Sequence, residues 1–326
     1  MPQHRGDKIL AQLHTDARLK VDKVYSDLYP GQQGHQTDPA IRADLHYGWG
    51  GGASDQKLIG DLITANSFNQ LIDRLNIGIE NTGLSNVELD RQMPRDQTIL
   101  AAYYNAINMY ADDITAVPNQ LNPARASIMQ MGTAARTVNW RNQLILTYDA
   151  IFDNYDHARY FFNSGSTIRM DFQMAGNGTG QGYRDWQFIF YRAGIISYGL
   201  NGLGISGTAH FTNGFVPFLD LNHGSYQLLG TIQTGGGYGG YGGYGGYGEP
   251  LYIKVYGKLS ATKRNVVRFR VVLDNTHATH HPADRLVTGT TTCAVSYRKP
   301  IDNARPTTRL HIAPPEFNLI ADFTGS

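Results

Sequence analysis

The chain has 326 residues, more than one core usually organises, so two domains or one domain with an extended arm is the starting expectation. A net charge of +1 excludes a large basic field of the kind that holds nucleic acid nonspecifically, and a charged share of 17% lies below the roughly 25% of average domains. The single cysteine, Cys293, excludes an intrachain disulfide and any CxxC zinc pattern, and reads as a small buried hydrophobe on a strand.

The opening residues MPQHRGDKILAQLH carry no apolar core of a signal peptide, and no stretch approaches the roughly 18 apolar residues of a membrane span. The expectation is a chain made and kept in a cytosol unless a particle carries it out. From Asp7 onward, Leu10, Leu13, Ala17, Val21, Val24 and Leu28 recur at steps of three and four, a heptad-like stripe on one helix face that stops at Pro30-Gly31. Such a face can dock on a partner, pair with copies of itself, or pack on its own body. Turn-rich sequence follows. A second helix is predicted over about 64–79, capped by Thr64, with Phe68, Leu71, Ile72, Leu75 and Ile79 on one face. A third is predicted over about 95–114 with Ile99, Tyr103, Ile107, Tyr110 and Ile114 as its stripe, and Pro118 and Pro123 end the helical part.

From about Val138 the chain turns to β-branched and aromatic segments: WRNQLILTYDAIF, STIRMDFQMAG, WQFIFYRAGIISYG, GTAHFTNGF, EPLYIKVYGKLSA, NVVRFRVVLDN and TTTCAVSYRK. Several alternate with period two, placing Ile168, Met170 and Phe172 on one face, Ile253 and Val255 opposite Lys254 and Tyr256, and Val267, Phe269 and Val271 opposite Arg268 and Arg270. The fold class expected is α+β: an N-terminal helical arm (1–30) and a small helical region (31–125), then an antiparallel β-sandwich-like domain (126–300), then an extended C-terminal arm (301–326).

Between two strand-like segments lies TGGGYGGYGGYGGYGEP, in which Tyr238, Tyr241, Tyr244 and Tyr247 repeat every third residue. Glycine offers nothing to bury and resists ordering, so residues 235–248 read as a long hairpin insertion. A period of three suits an extended helix with all tyrosines along one edge. Three uses fit: contact with a neighbouring subunit, stacking on sugar rings, or a surface loop with no role.

His277, His280 and His281, with Asp274 upstream, form a cluster that can bind a transition metal or meet on a symmetry axis, but turn residues flank it and a plain polar loop explains it as well. Asp153, Asp156 and His157 in DNYDH fit an acid–base pair only if a cleft surrounds them, and Asp/Asn-rich turns before regular elements are ordinary. GNGTGQG (176–182) superficially resembles a phosphate loop, but the chain lacks the GxxxxGK(S/T) pattern. No catalytic residue, cofactor or enzymatic activity is expected.

The segment DHARYFFNSGSTIRMDFQMAGNGTGQGYRDWQFI is more specific. His157, Ala158, Phe161, Phe162, Asn163, Gly165, Ile168 and Arg169, with Trp186 following, resemble a block in virion structural proteins of tailed phages that infect cyanobacteria. YIKVYGKLS with VVRFRVVLDN, and DRLVTGTTTCAVSYRKP, resemble that family's paired strands and closing block, and DLITANSFNQLIDRL resembles its preceding helix, so the likeness covers about 58–300. Ser166 stands where a second glycine is common, and the Gly-Tyr tract and N-terminal stripe have no counterpart. Read on the residues, Phe161 and Phe162 would face opposite sides of a strand, Asn163 and Gly165 would make a tight turn, and Arg169 would point outward toward a carboxylate of a neighbour.

The resemblance implies a virion component at the neck, tail, baseplate or fibre attachment. It would assemble with other virion proteins and with copies of itself, a homotrimer first, without nucleic acid or a membrane span. A host-surface glycan adhesin using the Gly-Tyr tract is the alternative, and a polysaccharide depolymerase a third.

Overall fold

A computed structural model describes residues 5–25, 63–84, 101–116, 121–213, 216–233, 251–275, 286–301 and 312–325. The fold is α+β, with helices first and two β-sheets after them. The chain divides into two compact units. One holds residues 1–127, 159–166 and 299–313, and the other holds 128–158, 167–298 and 314–326.

The first unit is built on three helices that pack on one another: α1 (Arg5–Tyr25), α2 (Ala65–Thr82) and α3 (Ala101–Ala116). In α1, Ala11, His14, Ala17 and Val21 are buried, spaced three, three and four apart as one face requires. Thr64 caps α2 as expected: its Oγ1 accepts from the Ser67 amide at 3.2 Å. Gly83, at φ 70, closes the other end in the left-handed geometry that glycine adopts without a Cβ clash. Phe68, Leu71, Ile72, Leu75 and Ile79 are all buried. The buried face of α3 is Tyr104, Ile107, Ala111 and Ile114, not the expected Tyr103/Ile107/Tyr110/Ile114 set, and Tyr103 is 41% exposed. Both phases contain Ile107 and Ile114. The Tyr104 ring decides it by packing edge-on against Phe68 and His14, with its hydroxyl 3.2 Å from His14 Nδ1.

The second unit contains a five-stranded sheet, order β1-β10-β3-β4-β5, and a six-stranded sheet, order β11-β2-β9-β8-β7-β6. The strands are β1 (Ala126–Arg136), β2 (Gln143–Ile151), β3 (Thr167–Ala175), β4 (Ile196–Gly199), β5 (Gly202–Ile205), β6 (His210–Asn213), β7 (Gln227–Gln233), β8 (Tyr252–Leu259), β9 (Val266–Asp274), β10 (Thr290–Pro300) and β11 (Glu316–Gly325). Alternation sends Ile168, Met170 and Phe172 of β3, Cys293 and Val295 of β10, and Ile253, Val255, Val267, Phe269 and Val271 of β8 and β9 inward, all buried as expected. Phe269 stacks on Tyr148 of its own sheet (5.2 Å) and meets Tyr198 of the other sheet edge-on (5.4 Å), so the sheets share one aromatic core. Burial pushes the thiol of Cys293 well above its ordinary pKa, consistent with a packing role.

Three segments depart from expectation. HARYFFN is not a strand but part of helix α4 (Tyr155–Asn163), and WQFIFYRA belongs to helix α5 (Gln181–Ala193). Gly182, Trp186, Ile189, Phe190 and Ala193 recur at helical spacing and are buried, and this periodicity overrides the β preference of individual aromatics. The C-terminal tail is extended, yet it is β11, paired antiparallel with β2 along Glu316–Gly325. Two register shifts in β11 turn Phe323 inward at φ 33, an uncommon backbone for a bulky residue, held by burial of its ring.

Candidate functional site

The expected site residues fall in different places. The block around Phe161 forms the end of α4. Phe161 and Phe162 are both fully buried, their rings edge-to-face at 5.2 Å, so neither faces a partner. Gly165 donates to the Phe162 carbonyl and Ser166 to the Phe161 carbonyl, the two bonds of a Schellman motif, with Gly165 at φ 78. The tight turn at Asn163–Gly165 is therefore as expected, although it ends a helix instead of joining two strands. Asn154 caps the other end, its side chain accepting from the His157 amide at 2.8 Å. His157 Nδ1 lies 3.2 Å from Asp153, whose side chain is 77% exposed, and the Asp156 side chain is outside the described residues. That arrangement is a capped helix start with a surface side-chain contact.

Arg169 lies on the outer face of the five-stranded sheet, opposite Ser296 and Ser197, and its charge helps to lower the pKa of Arg298, after burial. In α1 the face carrying Ala17 and Val21 is covered within the helical unit, and Leu13 is half-buried beside it. The side chains of Leu10 and Val24, and Leu28 altogether, lie outside the described residues, as do Tyr238, Tyr241, Tyr244, Tyr247, His277, His280 and His281. The strands flanking the Gly-Tyr tract are antiparallel neighbours, Gln233 opposite Tyr252, so residues 234–250 do connect a β-hairpin.

Two surfaces of the second unit stand out. The first is the free side of β1. Among the described residues this strand of 11 residues is bonded on one side only, by β10, and it exposes Ile128 (58%) and Met129 (52%), with Val138 (60%) just beyond it. It carries neither proline nor lysine, the usual means of protecting an edge.

The second is the outer face of the six-stranded sheet. Alternation and register bring Gln143 of β2, Arg268, Arg270, Val272 and Asp274 of β9, and Tyr252, Lys254, Tyr256 and Lys258 of β8 onto one surface, with Gln143 opposite Asp274 and Arg270 between Thr147 and Tyr256. Long side chains lie over short ones, leaving Val272 and Asp274 buried beneath. Gln143, Tyr226, Lys254, Tyr256, Arg270, Val272 and Asp274 enclose an open cavity of about 300 Å³, at the low end of the roughly 300–1,000 Å³ typical of small-ligand sites.

Most cations of this face are engaged. Arg268 makes a two-pronged bond to Asp149 (2.7 and 2.8 Å), Lys254 reaches Asp274 at 2.7 Å, and Lys258 donates to the Gly224 carbonyl at 2.9 Å. Arg270 differs: it lies 5.9 Å from the centre of the Tyr226 ring, on which Lys258 also sits at 4.5 Å, and no carboxylate pairs with it among the described residues. Burial raises the Tyr226 pKa against the opposing pull of Arg268 and Arg270, which keeps the phenol protonated near neutrality as a hydrogen-bond donor. The alternation of Lys254/Tyr256 and Arg268/Arg270 is visible in the sequence. Tyr226 and Gln143 carry no such signal, because strand order alone brings them here.

No helix among the described residues is long and apolar enough to cross a membrane. The chain matches no protein-family model, and no curated protein or solved structure matches it.

Proposed function

We propose that this chain is a structural subunit of a tailed-phage virion, at the neck, tail, baseplate or fibre attachment, and that it acts by assembling with copies of itself and with other virion proteins. The observation that carries the assembly reading is the free edge of β1. A long strand that no other described strand bonds on its outer side, with two exposed apolar side chains, is a template for another strand, and a chain that stays monomeric is expected to blunt it. Exposed Phe188 and Tyr191 on α5 add a second apolar surface. The virion assignment is supported by the resemblance of the His157–Arg169 block and the later strands to cyanophage structural proteins.

The test is the mass of the purified chain in solution, together with its presence in purified particles. The expectation is an oligomer, a trimer at three times the 36.1 kDa chain first. Ile128→Lys with Met129→Glu is expected to reduce it to a monomer with an unchanged circular dichroism spectrum. A wild-type chain that remains monomeric, or that is missing from purified particles, overturns the proposal.

A further inference from the structure

We infer that the outer face of the six-stranded sheet binds an acidic sugar, a hexuronate unit of a larger glycan, with Arg270 holding the carboxylate. The inference rests on the geometry of the second unit and does not depend on the assembly reading or on the Gly-Tyr tract.

Lys254, Arg268 and Lys258 are held by Asp274, Asp149 and the Gly224 carbonyl, so the first two charges are balanced by a carboxylate and all three heads are held in place by protein partners. The guanidinium of Arg270 keeps its donor fork, which matches a carboxylate in two-pronged geometry. Its stem rises from the centre of the sheet, and its head is placed by the Tyr226 ring, so little ordering is left to be done on binding. The cavity lining counts Lys254 and Arg270 against Asp274, one net positive charge, which suits a ligand with one carboxylate per unit.

The remaining lining fits the rest of a sugar ring. Neither the Gln143 amide nor the Tyr256 hydroxyl has a hydrogen-bond partner among the described residues, so together they offer donors and acceptors to sugar hydroxyls. The Tyr256 ring carries no cation and no aromatic neighbour among the described residues, unlike Tyr226, and presents a face against which the C–H side of a pyranose can lie.

Two rival occupants fit less well. An extended acidic peptide needs backbone hydrogen bonds, and β9 is bonded on both sides by β2 and β8, leaving only side chains on this face. A nucleic-acid strand needs a row of free cations tracking its phosphates, whereas two of the four cations described on this face, Lys254 and Arg268, are already paired with carboxylates.

The experiment is isothermal titration of the full chain with a trisaccharide of galacturonic acid, alongside the neutral glucose trisaccharide, inorganic sulfate and a glutamate-rich peptide. The acidic trisaccharide is expected to bind, with affinity falling as salt rises. Arg270→Gln is expected to weaken it at least about tenfold, as for loss of a charge-assisted hydrogen-bond pair. Tyr256→Ala should weaken it several-fold, while deletion of residues 235–248 should leave it unchanged. No binding of the acidic trisaccharide, equal binding of the neutral one, equal affinity for sulfate, or preference for the peptide each overturns the inference. So does loss of binding in the deletion variant, which would move the site to the tyrosine tract. An Arg270→Gln chain that keeps the wild-type unfolding midpoint shows that lost binding is not lost folding.

Discussion

The ion pair Asp149–Arg268 gives an asymmetric prediction. The two residues are directly opposite across β2 and β9, joined by bonds of 2.7 and 2.8 Å, and their burial differs: the carboxylate side chain is 6% exposed and the guanidinium side chain 33%. That hydrogen bond, opposed by partial burial, raises the pKa of Arg268. Replacing the arginine by methionine keeps its apolar stem but strands a nearly dry carboxylate, at a cost of about 3–5 kcal/mol. Replacing the aspartate by asparagine loses charge assistance, but a guanidinium one-third in water can turn its head outward. Discounted for that exposure, the loss is about 1–2 kcal/mol. A double variant, Asp149→Val with Arg268→Met, removes both charges from a face that carries Val266 two residues before Arg268, and is expected within about 1 kcal/mol of the wild type. Urea unfolding followed by tryptophan fluorescence reads this directly, since Trp140 and Trp186 lie 5.1 Å apart in the same unit. If Asp149→Asn costs as much as Arg268→Met at an unchanged urea dependence, the burial argument is wrong.

Two further predictions follow from buried groups. The Tyr148 hydroxyl is buried with no partner among the described residues, so Tyr148→Phe should be neutral or stabilising by up to about 1–3 kcal/mol, read as a higher thermal midpoint. Burial raises the Tyr148 and Tyr198 pKa values in the folded chain, so their contribution is complete below the unfolded value of about 10 and is lost as pH rises above it. Urea midpoints should therefore fall from about pH 10 upward, less steeply in Tyr148→Phe. Gly165→Ala places a Cβ at φ 78 and should lower stability by about 1–2 kcal/mol, with Gly165→Asn milder, both measurable by chemical denaturation.

Much of the sandwich was readable because strands buried on one face announce themselves by period two, as in β3, β8, β9 and β10. The strand β1 was not, because ASIMQMGTAAR has no clean alternation: as an edge it is covered on neither side for much of its length. Helices α4 and α5 were hidden by aromatics whose bulk favours strands, so both were read as strands, although the spacing of Trp186, Ile189, Phe190 and Ala193 is that of a helix face. The phase of α3 was read on Tyr103 where the structure buries Tyr104, since the deciding contacts come from His14 and Phe68, far away in the chain. The outer-face site was half legible. Arg268, Arg270, Lys254 and Tyr256 were readable as outward residues, but which of them touch depends on register, and register is a property of strand pairs.

The two proposals can be separated because they use different sheets. The free edge belongs to β1 of the five-stranded sheet, whereas Arg270 and Tyr256 stand on central strands of the six-stranded sheet, facing away from the shared core. A strand added beside β1 extends its own sheet in plane and leaves the opposite outer face uncovered. Ile128→Lys with Met129→Glu should therefore abolish assembly while a single chain still binds the acidic trisaccharide, and Arg270→Gln should abolish binding while the oligomer persists. Sugar units repeat along a glycan, so an oligomer presenting several copies of a weak site gains avidity that no single copy has. Assembly through the edge would thus turn a shallow cavity of about 300 Å³ into an effective grip on a polymeric surface. If the monomeric variant binds a long polyuronate as tightly as the oligomer does, assembly adds nothing to recognition and that coupling of the two surfaces falls.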